Sequence, residues 1–157
     1  MIEGETPAEG QEPTNGGGQI PAQQRLPVWL SSMVVCQDSY RDDRGRTHLH
    51  GVTDGFGAAG FPVTLQFMVW CCARGRGTAR LVLRIQDTLE QTVAVTEPLI
   101  AEVSPFKAHE FFCGFNVQLA GAGLYRIRAF LDGIPAMEVP LMMRLAQPQQ
   151  TAPTPPG

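Results

Sequence analysis

Apolar and polar side chains alternate with a period of two through the second half of the chain. In Ala79–Asp87, Leu81, Leu83 and Ile85 share one parity and Arg80, Arg84 and Gln86 the other, with Val82 the exception. In Glu110–Leu119, Phe111, Cys113, Phe115, Val117 and Leu119 alternate with Phe112, Gly114, Asn116 and Gln118. In Leu124–Leu131, Tyr125, Ile127 and Ala129 oppose Arg126, Arg128 and Phe130. In Met137–Leu145, Met137, Val139, Leu141, Met143 and Leu145 oppose Glu138, Pro140, Met142 and Arg144. A helix cannot use such a pattern, because its side chains recur every 3.6 residues. A strand with one face on a core and one in water requires it.

The first half is less regular. Residues 28–37 and 63–72 are apolar on both parities, which predicts central strands covered on both sides. Residues 46–56 form a weaker strand, and 92–100 form one that ends near Pro98. Turn signals separate these runs, among them Asp42–Gly45, Gly57–Pro62, Arg74–Gly77, Gly121–Gly123 and Asp132-Gly133. A short helical turn is expected near Ser104–Lys107. The predicted fold is all-β: an antiparallel two-sheet β-sandwich of about eight strands. For the terminal hairpin, inward residues must oppose inward residues. A three-residue loop, Leu131–Gly133, meets this condition and sets Ile127 against Met137 and Arg126 against Glu138. Pro135 and Pro140 remove two donors from the last strand and predict an edge.

Composition bounds the domain. The chain has 157 residues, of which 43% are hydrophobic, enough for one core. Residues 1–26 are rich in Gly and Pro, and 146–157 in Pro and Gln. Neither end carries enough large apolar side chains to offset the entropy of ordering. The expected organisation is a disordered acidic tail at 1–26, a β-sandwich at 27–145 and a disordered tail at 146–157. Glu3, Glu5, Glu9 and Glu12 against Arg25 account for the formal net charge of −3, so residues 27–145 are neutral. A neutral domain with an acidic tail lacks the basic footprint of general nucleic-acid binding. The start, MIEGETPAEG, has neither the basic nor the apolar region of a signal peptide, and no apolar run approaches the ~18 residues of a membrane span. A cytoplasmic setting with reduced Cys36, Cys71, Cys72 and Cys113 is therefore expected.

The chemistry-bearing residues fit no catalytic pattern. His48, His50, Cys36 and Cys113 invite a zinc site, but no C-x-x-C pair is present, and Cys36 and Cys113 sit in apolar strands where a cysteine serves as a small core residue. Cys113 and His109 are four apart on a strand, roughly 13 Å, too far for a nucleophile and its base. The serines lie in no G-x-S-x-G context, and the G-x-G of Ala73–Arg80 is followed by neither Lys-Ser/Thr nor a helix; a glycine hairpin loop explains it better. No catalytic residue, metal or cofactor is expected. Phe112, Arg126, Arg128, Phe130, Met142 and Arg144 share the outward parity. Arg with aromatics marks interface cores, whereas a solvated face of cross-strand ion pairs is the plainer account.

The stretch HLHGVTDGFGAAGFP, with Cys36-Gln37-Asp38 before it and Phe61-Pro62 closing it, is followed late in the chain by Gly123, Tyr125, Asp132 and Gly133 in a G-x-Y…D-G hairpin. This order of features resembles a family of small bacterial proteins known only as a domain of unknown function with a β-sandwich-like pattern. The resemblance covers about residues 27–145. It implies the fold and a bacterial origin, and no activity. The expected function is a non-catalytic cytoplasmic protein that acts by protein–protein interaction, through a partner or by self-association. A carbohydrate-type ligand-binding sandwich is the alternative. It is disfavoured because Trp29 and Trp70 lie in the most apolar strands and Tyr125 faces inward. A thiol or zinc enzyme is a third reading that lacks clustered ligands.

Overall fold

The computed structural model describes residues 27–147. The tail assignments at 1–26 and at 148–157 lie outside the described residues. The described chain is all-β, with eleven strands: β1 (Val28–Cys36), β2 (Asp38–Arg41), β3 (Thr47–His50), β4 (Gly55–Ala58), β5 (Val63–Gly75), β6 (Gly77–Gln86), β7 (Thr92–Val95), β8 (Leu99–Val103), β9 (His109–Leu119), β10 (Gly123–Leu131) and β11 (Ile134–Leu145). One sheet has the order β1-β5-β9. The other has the order β4-β11-β10-β6-β7, with β8 also on β6, and β2-β3 form a separate hairpin. Taking β1, β5, β6, β9, β10 and β11 as A, B, C, E, F and G gives A-B-E facing C-F-G, the strand order of an immunoglobulin-type sandwich.

The alternating strands keep their expected parities. Leu81, Leu83 and Ile85 of β6, Ile127 and Leu131 of β10, and Leu141 and Met143 of β11 meet Val28, Val69, Cys71 and Leu119 from the facing sheet, all essentially without solvent contact. Tyr125 is buried at the corner where the chain crosses from β9 to β10. Its hydroxyl donates to the Gly121 carbonyl at 3.0 Å, which is the tyrosine corner of such sandwiches. Antibody domains place the second cysteine of their inter-sheet disulfide two residues after this tyrosine. Here Ile127 stands there, and all four cysteines are free.

The strand count exceeds eight for local reasons. Residues 46–56 divide into β3 and β4 around the left-handed Gly51. The strand through 92–100 does not end at Pro98. It breaks over Thr96–Pro98 and resumes as β8 along the same edge of β6. Thr96 bridges the break, its N–H donating to Leu83 O and its hydroxyl accepting from Leu83 N–H, both at 3.0 Å. Ser104–Lys107 forms an isolated bridge, not a helical turn.

Strand β1 is an edge strand rather than a central one. Its apolar character on both parities comes from a bulge between Leu30 and Ser32. Val28 and Leu30 point to the core before the bulge, Met33 and Val35 after it, and Trp29, Val34 and Cys36 point out. Gly75-Arg76-Gly77 is not a hairpin loop but an arch from one sheet to the other. Gly75 has φ +121°, and a Cβ there would lie 2.1 Å from the Pro27 carbonyl oxygen.

The terminal hairpin differs from its predicted register. The turn is the two-residue Asp132-Gly133, both with positive φ, as a tight hairpin with the right-handed strand twist requires. The parity conflict that such a turn creates is removed by a bulge: Ala129 pairs Met137 but Phe130 pairs Pro135, leaving Ala136 over. Ile127 therefore opposes Val139, and Arg128, not Arg126, opposes Glu138. The last strand is an edge only in part. Beyond the stretch holding Pro135 and Pro140, Met142–Leu145 pair in parallel with β4.

Candidate functional site

The outer face of the larger sheet gathers five of the six residues singled out from sequence. Arg126, Arg128 and Phe130 lie on β10, and Met142 and Arg144 on β11. Strand β6 brings Arg80, Val82 and Arg84 beside them, Val82 opposite Phe130 and Arg84 opposite Arg128. Two guanidinium groups placed directly opposite destabilise a sheet unless each finds compensation. Arg128 finds it in acids. Its Nε donates to Glu138 Oε2 at 2.5 Å, and Glu90 Oε1 lies 3.8 Å from its Nη2. The hydrogen bond to Glu138 raises the Arg128 pKa further. Arg126 shares the same two carboxylates at 3.7–3.8 Å. Arg84 instead lies on an aromatic ring, its Cζ 4.6 Å from the Phe130 centroid, a contact worth about 0.5–1 kcal/mol where exposed.

Half of this face is thus the ion-paired surface that the plainer account describes, and half is not. Among the described residues, Arg80, Arg84 and Arg144 make no ion pair. Arg80, Val82, Arg84, Phe130 and Gly133 line a shallow depression of about 240 Å³. Across β6 the same face continues onto the 70% exposed Ile100, opposite Arg80, and the 58% exposed Val95, opposite Arg84. Neither aliphatic was singled out from sequence. The run 92–100 shows their β character, but only the pairing with β6 places them beside the arginines.

Phe112 does not belong to this face. Strand β9 is in the other sheet and pairs β5, so Phe112 lies on the opposite side of the sandwich, in a row with Val34 and Trp70. The inserted hairpin β2-β3 folds over that row. Arg41 sits 5.6 Å from the Phe112 ring centroid, and Ser39 Oγ lies 3.5 Å from Met68 Sδ. Glu110 clamps the hairpin. Its Oε2 accepts from Arg41 Nη2 at 2.6 Å and from Thr47 Oγ1 at 2.7 Å, and its Oε1 accepts from Trp70 Nε1 at 3.1 Å. At the hairpin's tip, Asp42 accepts from His48 Nε2 at 3.0 Å and from Arg46 Nε at 2.7 Å. These bonds, led by His48 and the Arg46 backbone N–H, hold its carboxyl down at about 2. Tyr40 stacks on His48 at 4.9 Å with 59% of its surface exposed. Trp29, expected inside, is 49% exposed because the β1 bulge assigns it to the outer face.

The thiol and metal readings meet specific geometry. Cys36 is in the outward row with Met68 and Gly114, whereas Cys113 faces the core opposite Val69, so the sheet separates them. Burial pushes the Cys113 thiol up to about 11. It raises Cys71 more strongly still, with smaller contributions from Cys113 and Cys72. Such thiols are protonated at neutral pH and poor nucleophiles. Among the described residues, no three His, Cys, Asp or Glu side chains are placed to share a metal ion. No helix of the described residues is long and apolar enough to cross a membrane.

No protein-family model matches the sequence, and no curated protein matches it. Among solved structures, an immunoglobulin-like protein of Pseudomonas aeruginosa is similar at 11% identity and a TM-score of 0.43, over 77% of this chain and 99% of that one.

Proposed function

We propose that this chain is a non-catalytic bacterial cytoplasmic protein, of the type its sequence resembles, that acts by protein–protein contact through the outer face of the larger sheet. The observation that carries the reading is Arg84 on the Phe130 ring beside Arg80 and Val82, with Ile100 and Val95 exposed alongside. Arginines already neutralised by their own sheet offer a partner little. Arg80 and Arg84 offer unspent charge next to apolar area, which is the composition of an interface core. The matching partner surface carries carboxylates set among aliphatic side chains. Phe130→Ser and Arg84→Glu test this. Both variants are expected to keep the fold and lose a partner captured from the native host by wild-type protein. An unchanged partner profile with a melting temperature several degrees lower for Phe130→Ser rejects the interface.

A second reading, a carbohydrate-type binding sandwich, rests on the exposed Trp29 and on the Tyr40–His48 stack. Sugar rings bind on such exposed aromatic faces. Titration calorimetry against simple oligosaccharides, with Tyr40→Ala as the control, distinguishes it from protein contact.

A further inference from the structure

Strand β9 is the least protected edge of the described fold. Its ladder to β5 runs eleven residues in unbroken register, from His109 opposite Ala73 to Leu119 opposite Val63. Among the described residues, it pairs no other strand, and no backbone group outside that ladder bonds to it. Alternate N–H and C=O groups along it therefore point away from the sheet. Natural sheets blunt such edges with proline, lysine, bulges or short length. The other edges here follow that rule. Strand β4 has four residues, β1 is bent by its bulge, the β7–β8 edge breaks at Thr96–Pro98, and the open part of β11 holds Pro135 and Pro140. Strand β9 has no proline, lysine, arginine or bulge.

A second observation lies at its centre. Gly114 is the middle residue of His109–Leu119. Glycine weakens a strand interior and is commonly found where a bulge, a positive φ or a close backbone needs it. Gly114 has neither bulge nor positive φ, and a Cβ built on it meets nothing within 4 Å. Nothing within the described chain requires a glycine there.

We infer that β9 is the self-association edge of this protein, pairing antiparallel with β9 of a second copy about a two-fold axis at Gly114. That register preserves parity. Outside, Phe112 opposes Asn116 of the second copy and Glu110 opposes Gln118. Inside, Cys113 opposes Phe115 and Phe111 opposes Val117. No like charges meet, and the two Gly114 residues face each other on the axis with no side chain between them. The three-stranded sheets of the two copies become one of six strands. The occupant is a second copy because the edge complements itself. Residues 1–26 are rich in Gly and Pro and hold few of the residue types that favour strand pairing. This face is on the opposite sheet from Phe130, so the inference stands apart from the proposed partner site.

The open space at Gly114 supplies the test. Gly114→Glu and Gly114→Lys each fit the monomer but set like charges against each other across the axis. Sedimentation equilibrium of the full chain is expected to show a dimer for wild type. Each variant is expected to have a dissociation constant weaker by at least about tenfold, with unfolding no less stable than wild type at concentrations where both are monomeric. An equimolar mixture of the two variants is expected to recover the dimer, because Glu then faces Lys. A wild type that is monomeric at all concentrations, or a dimer that neither variant weakens, overturns the inference. So does a failure of the mixture to recover association.

Discussion

Removing the Glu110 carboxylate should lift the β2-β3 hairpin from the sheet without unfolding the sandwich. Glu110 accepts three hydrogen bonds, from Arg41, Thr47 and Trp70. The Arg41 pair has one side chain 53% exposed and the other 21%, so it contributes about 0.2–1 kcal/mol. The Thr47 and Trp70 bonds are half-buried and neutral on the donor side, and contribute about 1 kcal/mol each. Glu110→Ala should therefore cost about 2–3 kcal/mol in all, of which the Arg41 and Thr47 bonds, about 1–2 kcal/mol, tie down the hairpin, while the Trp70 bond lies within the β5-β9 pair. The β6, β10 and β11 core does not touch the clamp. The cost should then appear as local opening. Amide hydrogen exchange in residues 38–50 is expected to accelerate roughly 5- to 30-fold, given a factor of ten per ~1.4 kcal/mol. The slowest amides of β6 and β10 should keep their rates. Glu110→Gln retains acceptor capacity for Thr47 and Trp70 and loses the charge. It should cost under about 1 kcal/mol. The reasoning fails if Glu110→Ala leaves hairpin exchange within about threefold of wild type, or if Gln costs as much as Ala.

Three further outcomes are expected. Tyr125→Phe removes the hydroxyl bond to Gly121 and should cost about 1 kcal/mol, read as about 4 °C in thermal unfolding for a domain near 120 residues; no shift would mean the corner bond is dispensable. Asp42, held at about 2 against an ordinary 3.8, stabilises the fold fully above about pH 4 and loses that contribution as pH falls through 2; a side-chain NMR titration with a midpoint near 3.8 would refute the loop geometry. Cys71 and Cys113, with thiols raised by burial, should resist alkylation at neutral pH in the native state and react after denaturation, whereas prompt native modification would contradict their place in the core.

Side-chain parity within a strand is a local property, set by the pleat of that strand alone, and the alternating runs carried it in plain view. The inward sets of β6, β9, β10 and β11 follow from them, as does the shared outward face of Arg126, Arg128, Phe130, Met142 and Arg144. Which strands become neighbours is a different matter. It depends on closing long loops between segments that are equally good partners in isolation, and no short stretch of sequence encodes it. Phe112 has the same parity pattern as Phe130, yet topology sends it to the opposite side of the molecule. The contact of Arg84 with Phe130, and the exposure of Ile100 beside Arg80, exist only because β6 pairs β10 on one side and β8 on the other. Bulges are the second decision left to tertiary structure. One extra residue at Ser31 turned Trp29 outward, and one at Ala136 let a two-residue turn coexist with correct inward pairing. A bulge reverses parity at a single position, and what selects that position is the core on the far side, which brings together residues distant in the chain.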